Sequence, residues 1–181
     1  MFIGARPPLS SVGRADAATV AGPSRSPRQL TIPPVPTPDP LARLLAAARE
    51  RIDRYEPAEV PPALAAGGVL IDLRTDQQRR CGGVVRGSIW YPRNCLEWRC
   101  APDTEHLDPA VGRADGLVIL ICLEGYATSL AAATLRDLGV ARAGDVVGGF
   151  RAWQRAGLPV EPWDAAHDSL QGSAEASIRD Y

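Results

Sequence analysis

Five consecutive aliphatic residues, Leu117–Ile121, give the strongest strand signal in the chain. A run of that length with no polar interruption predicts a strand covered on both faces, as in a parallel sheet. Residues 127–138 then switch to helical spacing. Leu130, Thr134, Leu135 and Leu138 predict a shared face, and Ala127, Ala131, Ala132 and Ala133 a close approach to the sheet. Gly139 suits the left-handed position that ends a helix. Val69–Asp72 predicts a second buried strand after Gly67 and Gly68, residues 88–91 a third stopped by Pro92, and residues 145–147 a last one. A short helix with Phe150 and Trp153 on one face follows Gly148 and Gly149. Strand and helix alternate through residues 55–160, the pattern of an α/β domain with a mostly parallel sheet.

Before the first strand, Asp39 and Pro40 form an N-cap and first-turn proline. Leu41, Leu44, Leu45, Ala48 and Ile52 recur behind them at helical spacing, predicting an amphipathic helix that reaches Tyr55. A weaker helix is expected at 58–66, interrupted by Pro61 and Pro62. Asn94 is placed to cap a short helix at 95–98. Residues 77–83 and 101–115 read as loops. The first 40 residues hold 9 of the 17 prolines, a density that removes backbone donors and blocks helix and ladder alike. The expected organisation is a disordered or polyproline-like tail at 1–38, one α/β domain at 39–160, and a polar tail at 161–181 with Trp163 as its apolar anchor.

Charge narrows the function classes. All 20 basic residues are Arg, and they face 21 acidic ones for a net charge of −1. A broad nucleic-acid surface needs a basic excess, so no nucleic-acid partner is expected. No apolar run approaches the roughly 20 residues that span a bilayer, and Arg6 and Pro7 interrupt the start before any signal-peptide core forms. The expected setting is a reducing cytoplasm, away from membranes. Cys81, Cys95, Cys100 and Cys122 form no CxxC pair, and His106 and His167 lie in polar stretches, so neither a zinc site nor a disulfide framework is expected. Cys95 and Cys100, five residues apart, fall on different helix faces. Cys81 in its loop is a minor candidate for a resolving thiol, and Trp98, Phe150 and Trp153 are expected in the core.

The chemistry gathers at Cys122. In open parallel sheets, sites form beyond the carboxyl ends of the strands, and Cys122 stands there, followed by Leu123, Glu124, Gly125, Tyr126, Ala127 and Thr128 as the chain enters a helix. A tight strand-to-helix turn aims backbone N–H groups inward, and a helix N-terminus adds partial positive charge. Both favour thiolate over thiol, and the thiolate is the nucleophile. Gly125 permits a backbone angle that other residues resist. Thr128 or Ser129 is expected to satisfy free amides at the helix start. The competing reading is that Cys122 simply continues the strand as a small hydrophobe.

Five segments in order resemble the rhodanese-like domain family, over about 105 residues from Tyr55 to Val160. Leu70-Ile71-Asp72-Leu73-Arg74 resembles its strand ending in Asp-x-Arg, and Gly83 to Ile89 with Pro92 its G-H-I-x-G-A-x-x-x-P segment, with Val84 where the family often has His. Val118 to Ser129 is similar to the strand and active-site loop, and Leu135 to Gly139 to the helix end. Val147 to Trp153, then Gly157 to Val160, resembles the closing Gly-Gly segment. The resemblance implies an α/β fold with a central, mostly parallel sheet flanked by helices on both faces. It also implies sulfurtransferase chemistry without a cofactor: Cys122 takes a sulfane sulfur from thiosulfate or a persulfide donor, holds it as a persulfide, and passes it to a small-molecule or protein acceptor. Residues 123 to 127 would supply the amide cradle, and Thr128 closes the substrate-binding loop.

Loop length and charge set this chain within that resemblance. The loop of six residues ending at Ala127 matches sulfur transfer. Related phosphatases carry C-x5-R, and here Thr128 stands where the Arg would clamp a phosphate dianion. Phosphatase and arsenate reductase chemistry therefore rank below sulfur transfer. The loop also lacks Arg and Lys and contains Glu124, which favours a catalytically silent binding module as the first rival. Arg74, Arg86 and Arg93, near other strand ends, are the candidates for the missing positive charge, although Arg74 is expected to pair with Asp72. Tyr126 is expected at the rim of the site.

Overall fold

The structure is a computed structural model that describes residues 39–164. The tail expected at 1–38, and the part of the other tail at 165–181, lie outside the described residues. The strands are β1 (Asp53–Tyr55), β2 (Val69–Asp72), β3 (Ile89–Trp90), β4 (Leu117–Ile121) and β5 (Arg142–Val146). They form one sheet in the order β1-β5-β4-β2-β3, with every neighbouring pair parallel. The helices are α1 (Pro40–Arg49), α2 (Val60–Ala65), α3 (Asp76–Gly82), α4 (Leu96–Cys100), α5 (Pro109–Gly112), α6 (Ala127–Asp137) and α7 (Gly149–Arg155).

Alternation along the strands divides the core in two, as a pleated backbone requires. Val118 and Leu120 of β4 join Val69 and Ile71 of β2 in one cluster, covered by α1, α4, α5 and α6. Leu117, Ile119 and Ile121 point the other way, with Leu70 and Val146, and are covered by Val60 of α2 and by Phe150 and Trp153 of α7. All five β4 residues are buried, each such side chain contributing about 1.5–3 kcal/mol. This burial, more than intrinsic propensity, holds helices of only one to three turns. The end of α6 is a Schellman motif: Val140 N–H donates to Leu135 O at 2.9 Å and Gly139 N–H to Arg136 O at 3.1 Å, with Gly139 at φ +96°.

Several local expectations are corrected. The first helix stops at Arg49, not Tyr55, and Asp53–Tyr55 pairs with β5 as an edge strand. Leu41 and Leu44 do not pack: they are 61% and 58% exposed, and α1 turns Ala48 inward. On α6 the buried face runs through Thr128, Ala131, Ala132 and Leu135, while Thr134 and Leu138 face out. Residues 77–83 are mostly helix α3, started by a reciprocal cap in which Thr75 Oγ1 accepts from Gln78 N–H and Gln78 Oε1 from Thr75 N–H. Asn94 caps nothing; it lies inside a 3-10 turn, Arg93–Cys95, that leads into α4. The 101–115 segment contains α5, capped by Asp108 on Ala110 N–H at 2.7 Å. Trp98 is exposed rather than in the core. Past Val160, Glu161 bridges Val84 in both directions at 2.8 Å, and Arg80 stacks 3.6 Å from the centroid of the Trp163 ring.

Candidate active site

Cys122 leaves the carboxyl end of β4 and is half-buried as a free thiol. The next four residues turn back over it before α6 begins. Gly125 N–H donates to Cys122 Sγ at 3.2 Å, and Thr128 Oγ1 lies 3.5 Å from the same sulfur. Gly125 adopts φ +76°, in the region that glycine enters without strain. A Cβ there would sit 3.0 Å from both Gly148 N and Val146 O.

The diglycine after β5 is the floor on which this loop rests. Gly149 has φ +59°, and a Cβ on it would lie 2.4 Å from Cys122 O and 2.7 Å from Gly125 N. The first turn of α7 then donates back to the loop, Phe150 N–H to Cys122 O at 2.8 Å and Arg151 N–H to Leu123 O at 3.1 Å. Two carbonyls at the start of the loop are thereby satisfied by backbone donors of α7.

Of the loop residues expected to matter, Cys122, Gly125 and Thr128 converge on one point. Glu124 does not crowd the sulfur unpaired: its carboxylate meets Arg151 at 2.6 Å, both side chains about half exposed. Tyr126 is 57% exposed at the rim, and Ala127 opens α6. The expected capping role of Thr128 or Ser129 is corrected. The helix start has no side-chain cap, because the Thr128 hydroxyl is spent on the sulfur and the Ser129 hydroxyl faces Gly125 O at 3.0 Å and the Asp145 carboxylate.

Arg74 pairs with Asp72 as expected, and Arg86 and Arg93 are also held by carboxylates. Arg74 is fully buried on Asp72, with Nη2 to Oδ2 at 2.6 Å, and stacks 3.5 Å from the Phe150 ring centroid. Arg86 pairs with Glu161 and Arg93 with Glu97. Among the described residues, Arg151 and Arg49 bond to the loop, and Arg49 comes from α1. No local sequence signal marks Arg49, since its partners lie 76 and 80 residues away. Asp145, completely buried on β5, takes a hydrogen bond from Ser129 and one from Arg54 Nε at 3.0 Å.

The other thiols stand apart from this arrangement. Burial, with the nearby Asp108 and Glu97 carboxylates, pushes the Cys100 thiol up to about 12, so it stays protonated near neutrality. Cys81 is exposed on α3 and Cys95 is half-buried at the start of α4.

The structure is thus a parallel α/β domain with a cysteine at a strand end, wrapped by a tight glycine loop under a helix start. Residues 56–156 match the model of the rhodanese-like domain, and the chain belongs to that family. A thiosulfate sulfurtransferase GlpE from Actinobacillus succinogenes is 45% identical over 47 residues, 26% of this chain and 42% of that relative. Among solved structures, a protein of unknown function from Rhodopseudomonas palustris, described as a possible tyrosine phosphatase, superposes with TM-score 0.61 at 25% identity, over 76% of this chain and all of its own. The polysulfide-sulfur transferase homodimer of Wolinella succinogenes superposes at 0.50 with 24% identity, over 66% of this chain and 84% of its own. No helix of the described residues is long and apolar enough to cross a membrane.

Proposed function

We propose that this protein is a rhodanese-type sulfurtransferase with Cys122 as its nucleophile and persulfide carrier. The observation that carries the reading is the Gly125 N–H directed at Cys122 Sγ at 3.2 Å from a loop that Gly149 supports. A fixed amide dipole beside the sulfur stabilises negative charge on it without reorganisation. With thiosulfate, the Cys122 thiolate attacks the outer sulfur, a new S–S bond forms, the old one breaks, and its electron pair leaves with sulfite. Cys122 is left as the anionic persulfide. An acceptor such as cyanide or a thiolate attacks the terminal sulfur, and the electron pair of the broken S–S bond returns to Cys122. No external oxidant or reductant enters either half. A persulfide donor, small or carried on a protein, loads Cys122 by the same displacement and leaves as a thiolate. The cycle needs a free thiol, which fits a reducing cytoplasm.

Thr128 favours sulfur transfer over the phosphatase chemistry suggested for the Rhodopseudomonas palustris structure. A phosphate dianion in this loop would find a hydroxyl where the C-x5-R pattern has its bidentate guanidinium. Intact-protein mass spectrometry tests the reading, after incubation with thiosulfate and, separately, with a persulfide, and with Cys122→Ser as control. One added sulfur atom is expected, absent in the variant and discharged by cyanide or a thiol. No adduct from either donor on folded protein overturns the reading and leaves a silent binding module. Turnover of an aryl phosphate would instead favour the phosphatase.

A further inference from the structure

Arg49 is the last residue of α1 and precedes the span that matches the family model. Its guanidinium nevertheless reaches behind the Cys122 loop. Nη2 donates to Gly125 O at 3.1 Å, Nε donates to Ser129 Oγ at 3.2 Å, and the group lies 5.7 Å from the centroid of the Tyr126 ring. One side chain from outside the matched span thus touches the loop glycine, the rim tyrosine and the first turn of α6.

The Gly125 carbonyl needs this donor. Ser129 Oγ is 3.0 Å from Gly125 O, but it also faces Asp145 Oδ2, and a hydroxyl has one proton to give. The bond to a buried carboxylate is charge-assisted and the stronger of the two. Arg54 secures that carboxylate from its other side at 3.0 Å. With the Ser129 proton turned to Asp145, Arg49 is left to satisfy the Gly125 carbonyl and to donate to the serine oxygen.

Gly125 is also the residue whose N–H reaches the sulfur, and glycine has no side-chain preference to hold its backbone angles. We infer that Arg49 is a positioning residue for the Cys122 loop: it clamps the Gly125 carbonyl so that the Gly125 N–H stays on the sulfur, which makes docking of α1 a condition of sulfur transfer. This rests on the sulfurtransferase reading for its functional consequence, but not for its geometry.

The test uses the full chain with Arg49→Met, Arg49→Lys and, as a control on the same helix, Arg51→Met, whose exposed partner Asp137 is remote from the sulfur in sequence and bonding. Alkylation of Cys122 by iodoacetamide, an uncharged probe, is timed first. Single-turnover sulfur loading is then compared for dianionic thiosulfate and a monoanionic alkyl persulfide. Arg49→Met is expected to slow alkylation and loading from both donors about 10- to 100-fold, as loss of alignment does, with the loss in kcat and KM little changed. Arg49→Lys, with the charge but no fork, is expected to fall between, and Arg51→Met to stay within about threefold of wild type. Alkylation of Arg49→Met at the wild-type rate overturns the inference. A loss confined to KM for thiosulfate also overturns it, since Arg49 would then be binding the anion. Should Arg49→Met melt below the assay temperature, Arg49→Lys decides, and a wild-type rate there counts against the clamp. A wild-type chain that takes up no sulfur removes the sulfurtransferase reading, while the alkylation comparison still decides the role of Arg49.

Discussion

Glu124 and Arg151 meet at 2.6 Å across the gap between the Cys122 loop and α7, so the loop's carboxylate carries its own counter-charge. Arg151→Met is expected to uncover that carboxylate and slow loading from thiosulfate, a dianion, by about two- to fivefold, in keeping with an exposed pair of at most about 1 kcal/mol. Loading from a monoanionic alkyl persulfide should change less. Added salt should narrow the difference, and Glu124→Gln in the same chain should abolish it. Stopped-flow loading at low and high ionic strength measures all three.

Gly149 supports the loop where a methyl group cannot fit. Gly149→Ala places a Cβ at 2.4 Å from Cys122 O in a left-handed backbone. It is expected to destabilise the fold by about 1–3 kcal/mol and to suppress Cys122 alkylation. Gly87 offers the comparison. It also has positive φ, at +74°, but a Cβ there meets nothing within 4 Å. Gly87→Ala should carry only the conformational cost, about 1–2 kcal/mol, with Cys122 reacting at the wild-type rate. Urea unfolding and alkylation on both variants separate strain from site damage.

Thr128 contributes a hydroxyl and a methyl, and only the hydroxyl faces the sulfur, at 3.5 Å. Thr128→Val keeps the volume and removes the contact. Alkylation of Cys122 is expected to slow about three- to tenfold, the effect of one hydrogen bond of roughly 0.5–1.5 kcal/mol. Thr128→Ser should restore most of the rate. Equal rates in all three proteins would assign Thr128 to packing alone.

Acid should loosen the cluster of Tyr91, Arg99 and Asp108, on the face of the sheet that α4 and α5 cover. Burial favours the neutral form of Asp108, but hydrogen bonds from Tyr91, Ala110 N–H and Arg99, with the Arg99 charge, outweigh it and hold the carboxyl below its ordinary value. A carboxyl depressed in the folded state adds stability above its unfolded pKa, near 4, and loses that stability as pH falls through the folded value. Urea midpoints should therefore drop more between pH 5 and pH 2 for wild type than for Asp108→Asn. Asp108→Asn should be the less stable of the two at pH 7. Parallel curves would show that the cluster contributes nothing to the acid limb.

The alternation of strand and helix, the β4 run and the order Cys122, glycine, helix were readable because each is written in consecutive residues. A buried strand needs an unbroken aliphatic run, and a strand-to-helix turn needs its glycine at a fixed offset. The departures from the helical and loop patterns have equally local causes. β1 is three residues long and polar, so Ile52 was absorbed into the preceding helical period. The start of α3 carried a legible signal, the Thr75 and Gln78 capping box, which polar composition and the following glycines outweighed.

Sequence by itself determined the family, the α/β class, the position of Cys122 and the absence of a phosphate-clamping Arg at Thr128, since all of these are properties of residue type and spacing. Only the tertiary structure decided which charges reach the loop. Arg74 pairs with Asp72 as the Asp-x-Arg spacing suggests, and Arg86 and Arg93, which nothing in the chain pairs in advance, are engaged by Glu161 and Glu97. Arg49, outside every matching segment, and Arg151, at a variable place inside the closing Gly-Gly segment, arrive at the loop because α1 and α7 pack beside it. Hydrogen bonds and ion pairs act over a few ångströms of space, and separation along the chain places no limit on them.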